Sequence, residues 1–216
     1  MRAFGQTRSL GWPQLDRFTG VEVADTTTYY RQVRIISGQY RGRILKSPPN
    51  LQVRPTSDRL RETLFNVLSP RIEGSKFLDL CSGSGAIGIE ALSRGASHVT
   101  FVDKSRRMCG LVEANLDMIE APEPDTEVVQ SDAAEYVRRA AAKTQVSWDV
   151  VFYDPPYASD YLGVLRVFGT NELFSEGGIL VVEHYYKNSL KDLINDIRRW
   201  RVLKQGDSCL SFYERN

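Results

Sequence analysis

The chain has 216 residues, 42% hydrophobic and 25% charged, with a formal net charge of +1. That length and composition suit one soluble globular domain, or one domain with a small appendage. No apolar run is long enough to cross a bilayer as a helix, and the opening Met1-Arg2-Ala3-Phe4-Gly5-Gln6 has no hydrophobic signal region. Cys81, Cys109 and Cys209 are widely spaced without a CxxC pair, and His98 and His184 stand far apart. This pattern argues against a disulfide frame or a metal site and for free thiols in a reducing, cytoplasmic setting.

Charge is unevenly spread. Residues 29–63 hold eight basic side chains (Arg31, Arg34, Arg41, Arg43, Lys46, Arg54, Arg59, Arg61) against Asp58 and Glu62, a local charge of +6. The remainder carries −5, so a basic module is joined to an acidic body. That is the pattern of an anchor for polyanions, with a solvated basic face as the plain alternative.

Residues 1–32 mix Gly, Thr, Pro and scattered aromatics without periodicity, which predicts a loosely ordered extension. Arg2 and Arg8, with no acid before Asp16, are also compatible with an organellar presequence. Residues 33–45 read as a hairpin of two β-rich stretches around Ser37-Gly38. A helix is predicted from Thr56 or Ser57, with Leu60, Leu64, Val67 and Leu68 as its apolar face and Pro70 as its end. Residues 33–70 thus form a basic hairpin-and-helix module, and 71–216 the main domain.

From there, apolar runs at 76–80, 98–102, 126–130, 149–153 and 178–183 alternate with helical stretches near 85–94, 104–119, 132–142, 160–168 and 188–200. That rhythm predicts right-handed βαβ units and a mostly parallel, doubly wound α/β sheet. Residues 201–205 and 208–213 flank Gly206-Asp207 as a closing hairpin, which brings the sheet to seven strands, one of them antiparallel.

Phe77-Leu78-Asp79-Leu80-Cys81-Ser82-Gly83-Ser84-Gly85-Ala86-Ile87-Gly88 is a strand, a glycine turn and a helix start. Gly83, Gly85 and Gly88 satisfy G-x-G-x-x-G, a weak signal taken alone. Asp79 shifts its meaning. A carboxylate beside the turn opposes the phosphates of a dinucleotide but favours S-adenosylmethionine, which has an ammonium and a sulfonium and no phosphate. Asp103, ending the next strand, suits two ribose hydroxyls in either cofactor class. Asp132 is placed to meet an adenine amino group or simply to cap a helix.

The run Val150-Val151-Phe152-Tyr153 ends in Asp154-Pro155-Pro156-Tyr157. An acid, a fixed backbone carbonyl and a flat ring at a strand end are what is needed to hold a planar exocyclic amino group for methylation. Asp-Pro-Pro by itself also makes a plain extended loop.

Together the hairpin (Arg34 to Arg43), the Arg-Pro-Thr segment from Arg54 to Asn66, Asp79 through Gly95 and Asp154-Pro155-Pro156-Tyr157 resemble the RsmD family, the bacterial 16S ribosomal RNA guanine-N2 methyltransferases. The resemblance covers roughly residues 33–213, and Asp103 stands where the family pattern often has Glu. It implies a class I S-adenosylmethionine-dependent methyltransferase fold and a 16S ribosomal RNA or small-subunit substrate. Catalysis would fall to Asp154, Pro155, Pro156 and Tyr157. Asp79, Ser82, Gly83, Ser84, Gly85, Gly88, Asp103, Lys104, Asp132 and Ala133 would hold the cofactor. Arg34, Arg41, Arg43, Arg54, Arg59 and Arg61 would meet RNA phosphates, although Arg59 and Arg61 could instead pair with Asp58 and Glu62.

Adenine-N6 methyltransferases share the Asp-Pro-Pro-Tyr motif, so the motif alone does not name the base, and an adenine-N6 enzyme acting on DNA or RNA is the alternative. An oxidoreductase built on the glycine loop leaves Asp79 and the Asp-Pro-Pro-Tyr motif unexplained, and a non-catalytic RNA binder would need a defective cofactor pocket. The sequence does not fix oligomeric state; a monomer is the expectation.

Overall fold

The computed structural model describes residues 33–48, 57–143, 147–170 and 172–216. The expected N-terminal extension, Arg54 and a helix start at Thr56 lie outside these residues. A two-stranded ladder pairs β1 (Val33–Arg34) with β2 (Ile44–Leu45), and α1 (Asp58–Leu68) follows, capped by the Ser57 hydroxyl accepting from the Leu60 amide. Next come β3 (Lys76–Leu80), α2 (Ala86–Ser93), β4 (His98–Asp103), α3 (Arg106–Ile119), β5 (Thr126–Gln130) and α4 (Ala133–Ala141). The chain continues with β6 (Trp148–Tyr153), α5 (Tyr161–Thr170), β7 (Phe174–Tyr185), β8 (Leu193–Ile194), β9 (Ile197–Gln205) and β10 (Ser208–Arg215).

The main sheet has the order β5-β4-β3-β6-β7-β10-β9-β8. Strands β5 through β7 are parallel, and β10 runs antiparallel to both β7 and β9. The order reverses between β3 and β6, next to the glycine turn. In such sheets ligands bind at that switch point, beyond the carboxyl ends of the strands. All seven expected strands are present, and the two-residue β8 adds an eighth at the edge.

Neighbouring strand residues serve opposite faces. Phe77, Val150, Ile179 and Val181 pack with α1, α2, α3 and the hairpin, whereas Leu78, Val151, Leu180 and Val182 pack with α4 and α5. This period of two, apolar on both sides, is what a sheet covered on both faces requires.

One expected element is different. Residues 188–200 form no helix; they hold β8, a turn and the start of β9. Leu190, Leu193, Ile194 and Ile197 have helical spacing, but Asn195 takes a left-handed conformation (φ 51°) and turns the chain. From Ile197 onward the backbone pairs with β10 along Ser208 to Arg215. Satisfying the β10 edge outweighs the local periodicity.

The hairpin ladder is also shorter than its β-rich sequence suggests, because α2 takes over its hydrogen bonds. Buried Glu90 accepts from the Ile36 amide (2.7 Å) and the Ser37 amide (3.0 Å), and also pairs with Arg94 Nε at 2.7 Å. Ser93 receives the Gln39 amide through its carbonyl and the Tyr40 amide through Oγ. Gly38 is required here: its φ is +84°, and a Cβ would fall 1.6 Å from the Ser93 oxygen.

Replacing Glu90 with Ala leaves two amides and Arg94 without their acceptor. The expected loss is about 3–5 kcal/mol, the range for breaking a buried ionic pair from one side. Denaturant unfolding measures the loss, and hydrogen exchange should show the Ile36 and Ser37 amides deprotected ahead of the sheet.

Candidate active site

The carboxyl ends of β3, β4 and β6 converge on one region. Beyond Leu80 the chain bends sharply: Cys81 has φ 63°, and the Cys81 and Ser82 amides both donate to the Val102 carbonyl. Gly85 then caps α2, its amide bonded to the Ser82 carbonyl. Buried Asp79 accepts the Gly88 amide through Oδ2 at 3.0 Å, tying the strand to the first turn of α2. Gly88 admits no side chain, since a Cβ would stand 2.3 Å from Phe101 Cε1. Asp103 holds the loop from the other side, accepting from Gly83 (3.0 Å) and Ser105 (2.8 Å) with separate oxygens.

Asn115, fully buried on α3, ties this loop to the basic module. Its Oδ1 accepts the Lys46 amide (2.8 Å), and its Nδ2 donates to the Lys46 carbonyl (3.1 Å) and the Ser84 carbonyl (2.9 Å). The sequence reading did not single out Asn115, because an Asn inside a helix has no pattern of its own.

The acids here stand close together. Asp79 is pushed up to about 7, first by burial and then by the charge of Asp103, against the lowering effect of the Gly88 amide. Asp154 is raised well above the ordinary carboxylate range by burial, by Glu183 and by Asp79. Burial and four surrounding carboxylates push the Cys81 thiol up to about 12, so it is no nucleophile at neutral pH.

Glu183 was absent from the sequence reading. Tyr153 pairs with Val182, so Asp154 and Glu183 follow at the same level on adjacent strands. By the alternation of the strands, Asp79, Asp154 and Glu183 all belong to the α2 face. Only the neighbouring strand reveals Glu183; its own surroundings, Val181-Val182-Glu183-His184, read as a strand end.

The Asp154 amide donates to the Leu80 carbonyl (3.2 Å), which fixes Asp154-Pro155-Pro156 against the glycine turn. Pro155 is buried and Pro156 exposed. The Tyr157 ring is 47% exposed; its hydroxyl lies 3.3 Å from Ser208 Oγ, and its carbonyl accepts from Asn188 Nδ2 at 3.1 Å. Among the other expected residues, Asp132 caps α4, its Oδ1 accepting the Ala134 and Glu135 amides. Ala133 is buried behind it, and Lys104 is exposed after β4.

The expected RNA-binding arginines divide. Arg41 and Arg59 are exposed. Arg34 is exposed and pairs with Asp58 at 3.5 Å, while Arg43 Nη1 donates to the Met118 carbonyl (2.8 Å). Arg61 is a correction. It is fully buried, its Nη2 donating to the Arg34 carbonyl and to Asp58 Oδ1, both at 2.8 Å, so it joins α1 to the hairpin instead of offering a charge to solvent.

The donors and acceptors present fit S-adenosylmethionine. Ser82 Oγ is buried without a hydrogen-bond partner among the described residues. A Cβ at Gly83 would enter open space, so the loop leaves a cradle that a side chain would fill. Asp79 offers negative charge to an ammonium, and Asp103 keeps lone pairs for ribose hydroxyls.

The switch-point crevice, the glycine turn and the acids around it define a class I S-adenosylmethionine-dependent methyltransferase fold, shared with solved methyltransferases. Residues 33–214 match the family described as "Conserved hypothetical protein 95", and the chain belongs to it, the RsmD family. It is 34% identical over 185 residues to "Ribosomal RNA small subunit methyltransferase D" of Escherichia coli K12, covering 85% of this chain and 90% of that protein. It is 35% identical over 184 residues to "Putative rRNA methyltransferase YlbH" of Bacillus subtilis, covering 85% and 99%. The solved "Putative methyltransferase yhhF from Escherichia coli" superposes with a TM-score of 0.74 at 32% identity, covering 85% of this chain and 98% of that one.

Because Asp79 titrates near 7 in the free protein and an ammonium favours its charged form, S-adenosylhomocysteine should bind more tightly as pH rises from 6 to 8. Binding near neutral pH should release protons, visible as a buffer-dependent calorimetric enthalpy. Asp79→Asn should bind more weakly and lose both dependences.

Proposed function

We propose that this protein methylates the exocyclic N2 amino group of a guanine in 16S ribosomal RNA, free or within the small subunit, in the bacterial cytoplasm. The family and its relatives' names support RNA methylation. The choice of base rests on one observation: Tyr153 pairs with Val182, which brings Asp154, just beyond β6, level with Glu183 of β7.

Guanine presents three N–H groups on this edge, two from N2 and one from N1. Asp154 and the Pro155 carbonyl accept the two N2 hydrogens, and Glu183 accepts N1–H. Adenine would bring two N6 hydrogens and an N1 lone pair, and that lone pair would face the Glu183 carboxylate. A buried acceptor set against another acceptor costs the desolvation of both, about 1–3 kcal/mol, so the arrangement favours guanine over adenine.

The N2 lone pair is delocalised into the ring and is a poor nucleophile. Holding both of its hydrogens draws the nitrogen toward tetrahedral geometry and fixes the direction of its lone pair. The gain is mainly from positioning. Bound S-adenosylmethionine supplies an electrophilic methyl carbon on a sulfonium. The raised pKa of Asp154 makes its carboxylate a competent acceptor for the proton that the amine sheds once methylated. Tyr157 stacks on the base, which must be unpaired or flipped out to arrive there. Asp132, Ala133 and Lys104 line the adenosine side, and Arg34, Arg41, Arg43, Arg54 and Arg59 steer RNA phosphates.

Tritiated methyl transfer onto 16S RNA and onto small subunits lacking the modification, followed by nucleoside analysis, tests this function. N2-methylguanosine is expected; N6-methyladenosine or no transfer would contradict it. Asp154→Ala should abolish transfer with cofactor affinity nearly intact. Tyr157→Phe should be mild and Tyr157→Ala costlier, by about 1–3 kcal/mol for a lost base stack. Glu183→Gln can donate as well as accept, so it should lower the preference for guanine over 2-aminopurine, whose N1 is an acceptor.

A further inference from the structure

Tyr157 is one end of a larger exposed aromatic surface. Its ring centroid lies 5.5 Å from that of Tyr185, tilted by 34°, and Tyr185 meets Tyr186 edge-on at 4.7 Å. Two ammonium groups ride on these rings. Lys204 Nζ is 4.2 Å from the Tyr186 centroid, and Lys187 Nζ is 5.9 Å from Tyr185 and 5.7 Å from Tyr186. The Tyr186 amide donates to the Asp207 carbonyl at 2.9 Å, which holds the end of β7 beside the β9–β10 turn.

Clustered exposed rings need a reason that a single exposed ring does not. Tyr157 and Tyr186 are 47% and 38% exposed, and Lys187 and Lys204 are both exposed. Rings interleaved with cations are the chemistry that single-stranded nucleic acid uses, with bases stacking on the rings and ammonium groups meeting phosphates. The cluster is also continuous with Asp154 through Tyr157, so whatever lies on it adjoins the group held for methylation.

We propose that Tyr185, Tyr186, Lys187 and Lys204 form a binding site for the single-stranded RNA nucleotides that flank the target base. The site extends outward from Tyr157 along the end of β7 and the β9–β10 turn. Tyr185 backs the Tyr157 ring. Tyr186 stacks on a neighbouring base, and the two lysines pair with the phosphates on either side. The inference rests on the reading of RNA as substrate. It is separate from the basic hairpin, which lies on the other part of the chain.

The test uses the full chain loaded with S-adenosylhomocysteine and single-stranded RNA carrying 2-aminopurine one nucleotide from a guanine. Wild-type protein should quench the 2-aminopurine fluorescence on binding. Tyr186→Ala should lose that quenching and bind about five- to a hundredfold more weakly, the range for one lost base stack, and Tyr186→Phe should restore both. Lys187→Ala with Lys204→Ala should make the log–log salt slope shallower by about 1.4, since single-stranded contacts contribute about 0.7 each. Cofactor affinity should not change in any variant. Unchanged RNA affinity, quenching and slope in all variants would overturn the inference alone, as would a changed oligomeric state with unchanged RNA affinity. Wild-type protein that neither binds nor methylates RNA would overturn the substrate reading and this inference with it.

Discussion

Two buried carboxylates, Asp79 and Glu183, stand with the half-buried Asp154 at the ends of β3, β6 and β7, and like charges held away from water repel one another. Asp79 and Asp154 are both displaced far from the ordinary carboxylate range, chiefly by burial. Ligands that bring hydrogen-bond donors and positive charge relieve such a cluster. The proposed ligands would supply both, an ammonium to Asp79 and the N–H groups of a base to Asp154 and Glu183. The arrangement therefore spends folding stability on binding complementarity, as active sites commonly do.

The rest of the molecule keeps those acids in place. The parallel strands bring them to one level, beside the switch in strand order between β3 and β6. The basic module is fastened to the same frame by buried polar groups: Glu90 and Ser93 receive the hairpin backbone, and Asn115 bridges Lys46 to the glycine loop. A shift of the hairpin is thereby linked mechanically to the glycine loop.

Much of this was legible in the sequence. The alternation of apolar runs and helices, the glycine turn with Asp79, and the Asp-Pro-Pro-Tyr motif are local signals, and the structure brings them to one place. What escaped is non-local. The 188–200 segment has helical spacing, yet the unpaired edge of β10 draws it into a strand. Arg61 looks like any other arginine of a basic stretch, and its burial depends on the Arg34 carbonyl lying across it. Glu183 gains meaning only from the register between β6 and β7, and Tyr185 and Tyr186 only from Tyr157 arriving beside them.

Thermal unfolding with parallel methyl-transfer assays tests directly whether Asp154 is held against its own preference for the sake of the reaction. An acid whose folded pKa is raised binds more protons folded than unfolded above the unfolded value, so its contribution to stability is lost as pH rises. Asp154→Asn carries no such penalty. As pH rises above the ordinary carboxylate range, the variant should become progressively more stable than the wild type while transferring no methyl group. A stability difference that stays flat or reverses with pH, or an active variant, would contradict the account.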